Sequence, residues 1–146
     1  KALEKTMAYT LVPVNWHYRE QVSGEKMSFT VSEQPADQHG EIDLGLTVNI
    51  TRKVPDDIHE AAKTKYEEMT SLAKEMGTSR NQTPVFEQQM MVAQIGKRFV
   101  YTMVAANVKT NTLITVTFEC PMDQWQTVWE QTGQVMISRL IFNEAM

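Results

Sequence analysis

Apolar and polar residues alternate along much of this chain with the period of two that a half-buried strand requires. The cleanest run spans 41–54, where Ile42, Leu44, Leu46, Val48 and Ile50 fall on one side and Asp43, Gly45, Thr47, Asn49 and Thr51 on the other. It predicts a strand with one dry and one polar face, the dry side, with Leu44, Leu46 and Val48, lying against the helix that follows. The densest stretch, Phe99 to Cys120, is rich in β-branched and aromatic residues interrupted by Lys-Thr-Asn-Thr, and predicts a β-hairpin. In its second arm Ile114, Val116, Phe118 and Cys120 share a core face, while Leu113, Thr115, Thr117 and Glu119 share a partly wet one.

Other strands read from the same alternation. Met7–Val14 is extended but carries Pro13, which belongs on an edge. After the Ser23-Gly24 turn, Lys26–Ser32 turns Met27, Phe29 and Val31 inward, and Val85–Ile95 leads through Gly96-Lys97-Arg98 into the hairpin. The residues 35–40 and 78–84 read as loops.

The period changes to three-four at two places. Ile58, Ala61, Ala62, Tyr66, Met69, Leu72, Ala73 and Met76 form one helical stripe, with Asp56-Asp57 as N-cap chemistry before it and Gly77 as the expected left-handed cap after it. A closing helix after Pro121-Met122-Asp123 places Trp125, Val128, Trp129, Thr132, Val135 and Met136 on a stripe. Gly133 in its middle is expected to cost about 1 kcal/mol relative to alanine. The pattern as a whole predicts an α+β fold: an antiparallel sheet meander with two long amphipathic helices packed in an α/β sandwich, one domain over 1–146.

Composition narrows the functional classes. A chain of 146 residues, 42% hydrophobic, can bury a sizeable core without metals or disulfides. The net charge of −4 is spread along the sequence with no basic tract, which argues against a nucleic-acid surface. No run is long and apolar enough to span a membrane. Cys120 is the single cysteine and lies on the apolar strand face, where it reads as a small buried hydrophobe and not as a nucleophile.

Candidate chemistry is sparse. Asp37, His39, Glu41 and Asp43 recur at every second position and would share one side of an extended segment, a metal-capable spacing. Gly40 interrupts them, however, and a solvated strand face gives the same pattern, so no metal is assigned. His17 and His59 have no partner at ligand spacing, and His59 reads as a solvated first-turn residue. Nucleophile-elbow, phosphate-loop, zinc-protease and paired-cysteine motifs are missing, and no cofactor is implied. Ten methionines are the compositional oddity. Gap-filling in the core is their favoured role; as the alternative, Met90, Met91 and Met103, with the Trp16–Tyr18 turn, mark a candidate surface for a protein partner or for self-association, since thioethers adapt to varied apolar shapes.

Taken in order, several marked stretches resemble the PsbP-like superfamily. They are Tyr9-Thr-Leu-Val-Pro13 leading to Trp16, then Ile95-Gly96-Lys97-Arg98-Phe99 and its hairpin, Thr117-Phe118-Glu119-Cys120-Pro121, and a closing helix running into Ser138-Arg139-Leu140-Ile141-Phe142. The resemblance implies an α/β sandwich and a non-enzymatic binding or accessory role. Its members include an extrinsic photosystem II subunit, a Ran-binding import factor, envelope lipoproteins of the DcrB type and EagR-type secretion chaperones. A bacterial cell-envelope or periplasmic protein, with a leader or lipid anchor upstream of Lys1, is the expectation. A cytosolic dimeric chaperone for secreted effectors is the alternative, and a metal-dependent enzyme at the Asp37–Asp43 cluster ranks last.

Overall fold

The computed structural model describes residues 1–3, 7–35 and 42–146. Seven of its strands form one antiparallel sheet: β3 (His17–Ser23), β4 (Lys26–Ser32), β5 (Gly45–Thr51), β6 (Lys74–Gln82), β7 (Phe86–Ile95), β8 (Arg98–Asn107) and β9 (Thr112–Pro121), in the order β3-β4-β5-β9-β8-β7-β6. Two meanders, β3-β4-β5 and β6-β7-β8-β9, are thus joined through the β5–β9 pair. Helix α1 (Ile58–Thr70) carries the chain from the middle of the sheet to its far edge. A second small sheet joins β1 (Ala2–Leu3), β2 (Ala8–Tyr9) and β10 (Ile141–Phe142), tying the start of the chain to residues near its end.

Alternation along β8 and β9 divides the interior in two. Phe99, Tyr101, Met103, Ala105, Ile114, Val116, Phe118 and Cys120 face a layer that contains Trp129 and Met136, with Trp125 and Val128 packed against it. Val104, Ala106 and Leu113 face the opposite way, against Ile58 and Tyr66 of α1 and Val54 before it. Burial of each such side chain contributes about 1.5–3 kcal/mol, and because both faces are covered the central strands tolerate no slip of register. At the open end of β5, Gly45 lies against β4 so closely that a Cβ would fall 2.2 Å from the Val31 carbonyl oxygen, which admits only glycine.

The hairpin, β4, the dry side of β5 and the Asp57 cap of α1 stand as the pattern predicts. The Asp57 carboxylate accepts from the backbone N–H of His59 at 2.9 Å and of Glu60 at 3.1 Å. Several expectations are corrected. Leu44, Leu46 and Val48 are buried, yet they belong to the layer of the closing helix and not to that of α1, because Leu46 stands opposite Phe118 and Val48 opposite Val116. The extended stretch around Pro13 supplies only the two-residue β2 and stays out of the main sheet, while His17–Ser23 is a full strand.

Helix α1 stops at Thr70 instead of Met76. The Thr70 hydroxyl bonds the Tyr66 carbonyl at 2.7 Å and the Ser71 hydroxyl bonds that of Glu68 at 3.1 Å, satisfying last-turn acceptors that a further turn would otherwise use. Leu72 is 83% exposed, and Gly77, expected as a helix cap, sits at a register shift inside β6. The expected loop 78–84 is mostly β6. Its ladder with β7 outweighs the helix-forming residues at its start. The closing helix is segmented: a 3-10 turn (Met122–Gln124), α2 (Trp125–Val128), a π turn (Trp129–Gly133) and α3 (Gln134–Ser138).

Candidate functional site: a cleft between α1 and the β6–β7 edge

Helix α1 lies over β8 and the start of β9, with β7 and then β6 beyond it on that side. A cleft of about 390 Å³ opens there. Its floor follows from register: Val104 of β8 stands beside Gln89 of β7, which stands beside Arg80 of β6, and in the next row Glu87 stands beside Gln82. His59, Ala62 and Lys63 of α1 form its wall, at the three-four spacing that puts them on one side of the helix.

The cleft is polar and rich in donors. His59 is exposed, as its first-turn position suggests, and it has a partner as well: its ring Nδ1 lies 2.7 Å from the Glu87 carboxylate. The bond to Glu87, and then the charge of that carboxylate, raise its pKa above the ordinary 6.5. Lys63 and Arg80 form no ion pair among the described residues. One helical turn beyond Ala62, Tyr66 is buried. Burial raises the Tyr66 pKa first and the charge of Glu75 next, while a hydrogen bond with the Gln89 side chain and the charge of Arg80 oppose them, which sets the phenol oxygen beside the cleft's own residues.

The residues singled out in the sequence do not converge. Met103 is 7% exposed and belongs to the core, and Met90, its neighbour across β7–β8, packs half-buried against the same layer. Met91 points to the other side, half-buried beneath α1, two positions along β7 from Gln89. Trp16 packs half-buried on the core, and Tyr18 is 47% exposed on the opposite edge strand, with four strands between β3 and β7. The apolar partner surface expected from Trp16, Tyr18, Met90, Met91 and Met103 is therefore not one surface, because strand alternation sends Met90 and Met91 to different faces.

Asp37, His39 and Glu41 lie outside the described residues. Asp43 is engaged elsewhere: its carboxylate pairs with the Arg98 guanidinium at 3.2 Å, its carbonyl accepts from the same group, and Arg98 also binds Glu119 at 2.8 Å. Among the described residues no three His, Cys, Asp or Glu side chains come together as metal ligands. Cys120 is fully buried, and burial pushes its thiol pKa up to about 11. Lys63, Arg80 and Gln89 escaped the sequence reading because β6, which completes the cleft, carries no hydrophobic alternation. The one signal it does carry is that an antiparallel β7 needs a neighbour.

No protein-family profile matches the chain. No curated protein is similar enough in sequence to count as a relative. Solved structures are similar. The solution structure of cyanobacterial PsbP (CyanoP) from Synechocystis sp. PCC 6803 aligns with a TM-score of 0.59 at 15% identity, covering 98% of this chain and 91% of that one. The Saccharomyces cerevisiae Ran-binding protein Mog1p aligns with a TM-score of 0.50 at 16% identity, covering 97% and 93%. At such identities the likeness speaks for architecture alone, and that architecture is the PsbP-like, Mog1-like fold, a large antiparallel sheet between helices.

Proposed function

We propose that this chain is a non-catalytic binding or accessory domain whose protein partner docks in the cleft between α1 and β6. One observation carries the reading: a donor-rich cleft lies directly beside β6, a nine-residue strand at the end of the sheet order whose outer backbone groups have no neighbouring strand among the described residues. Such an edge can accept an added strand through main-chain hydrogen bonds, while the cleft beside it supplies selectivity. Protein recognition is also a property of one fold neighbour, the Ran-binding Mog1p. The setting we propose is the bacterial cell envelope, on the likeness of the marked stretches to DcrB-type lipoproteins.

Site-specific photo-crosslinking in the native host tests this. A benzoylphenylalanine at Gln82, on the exposed rim of the cleft, is expected to yield a discrete adduct, and one at Tyr18, on the opposite edge strand, none. Adducts from Tyr18 with none from Gln82 would move the docking site to β3.

A second reading, self-association, is favoured by a different place. Tyr9 and Ile141 are directly paired across β2 and β10, and are 57% and 58% exposed. Sedimentation velocity of the parent and of Ile141→Lys measures it; a concentration-dependent dimer lost in the variant supports a dimeric chaperone.

A further inference from the structure

The chain carries a net charge of −4, yet the cleft wall and floor hold Lys63 and Arg80 with no acidic partner among the described residues. The one carboxylate among the lining residues, Glu87, is held by His59 at 2.7 Å. Around these cations stand the amides of Gln82 and Gln89. These groups ask for acceptors with negative charge.

The sheet supplies the direction of approach. Thr78, Arg80 and Gln82 of β6 project to the α1 side, because they stand opposite Met91, Gln89 and Glu87, and Met91 packs against the α1 layer. A strand added to the outside of β6 would run about 4.8 Å away, and its alternate side chains would rise on that same side, beside Arg80 and facing Lys63 across the cleft. We infer that the cleft takes the acidic side chains of an extended partner segment, with Asp or Glu at alternate positions, that pairs with the free edge of β6. This rests on the docking role proposed above and names the chemistry of the partner.

The probe is a fluorescein-labelled octapeptide of alternating glutamate and valine, with its glutamine-valine counterpart as control, followed by anisotropy on the intact chain. The acidic peptide is expected to bind at least tenfold more tightly than the control. Its binding should weaken as salt is raised and fall at least tenfold in Arg80→Gln with Lys63→Gln. Both substitutions are at exposed positions, so a circular dichroism melt should show the fold unchanged. Equal binding of the two peptides would overturn the charge preference while leaving β6 as a docking edge. Binding of neither would overturn the inference, and the Gln82 crosslink would then speak alone for the docking role. Displacement of the acidic peptide by millimolar inorganic phosphate, with single glutamate as effective as the octapeptide, would make the cleft a small-anion site and would likewise overturn it.

Discussion

Gly133 lies so close to Trp129 that a methyl group on its Cα would stand 2.5 Å from the indole Cε3, with the Phe118 ring at 2.8 Å on the other side. The glycine therefore permits the aromatic layer instead of weakening the helix. Trp129 packs within 5.6 Å, centroid to centroid, of Phe99, Tyr101 and Phe118. The π turn from Trp129 to Gly133 widens the helix where that indole enters the core.

Gly133→Ala is accordingly expected to destabilise. Alanine's helix propensity would contribute about 1 kcal/mol in favour of the variant, but forcing a methyl into a filled core costs about 1–3 kcal/mol or more when two ring systems must move. Urea denaturation should show a midpoint below that of the parent. A midpoint above it would mean that Trp129 and Phe118 repack freely.

Two of the three methionines read as a candidate surface, Met91 and Met103, separate sharply. Met103→Lys places an ammonium group in the layer with Phe99 and Phe118 and is expected to cost about 3–5 kcal/mol or to unfold the chain. Met91→Lys can extend its stem toward the cleft and cost about 1–2 kcal/mol. Thermal melts of both variants check this, and equal losses would contradict the assignment of these residues to opposite faces.

How much was legible in the sequence follows from what carries a period. Leu46, Val48, Phe118 and Cys120 were placed on the right side of their strands because one dry face imposes strict alternation. Which helix they meet was not legible. That depends on the β5–β9 pairing, a contact between residues about 70 apart in the chain, which no local pattern encodes. The end of α1 was misread for the opposite reason. Leu72, Ala73, Lys74 and Met76 favour helix locally, and only the tertiary ladder to β7 makes the segment from Lys74 extended. The cleft was hidden with it, since Arg80 becomes a neighbour of Gln89 only once β6 exists.

Cys120 is predicted to be inert in the folded protein. Its thiol is buried and its pKa is pushed up to about 11 by burial, so little thiolate exists near neutral pH and no path leads a reagent to it. Reaction with a chromogenic disulfide at neutral pH should be slow in buffer and immediate in denaturant. Rapid native reaction would mean that the layer beneath α2 opens readily.

The His59–Glu87 pair makes the cleft responsive to pH, and its sign is fixed by the direction of the shift. Glu87 faces the imidazole from β7, while Asp57 and Glu60 add negative charge from the start of α1; burial acts against them and is smaller than the hydrogen bond to Glu87. The folded pKa thus lies above the ordinary 6.5, and the ring binds its proton more tightly in the folded chain than in the unfolded one. The stabilisation is fully present below the unfolded value and fades as pH rises through the folded one. Because both side chains are more than a third exposed, at 54% and 37%, solvent screens the pair and the change in stability is small. The titration itself is the sensitive measure. Proton NMR of the His59 ring should give a midpoint above 6.5 in the parent and a lower one in Glu87→Gln, which keeps the shape of the side chain and removes its charge. An unchanged midpoint in that variant would show that Asp57 and Glu60 set the shift, and that His59 does not fasten α1 to β7.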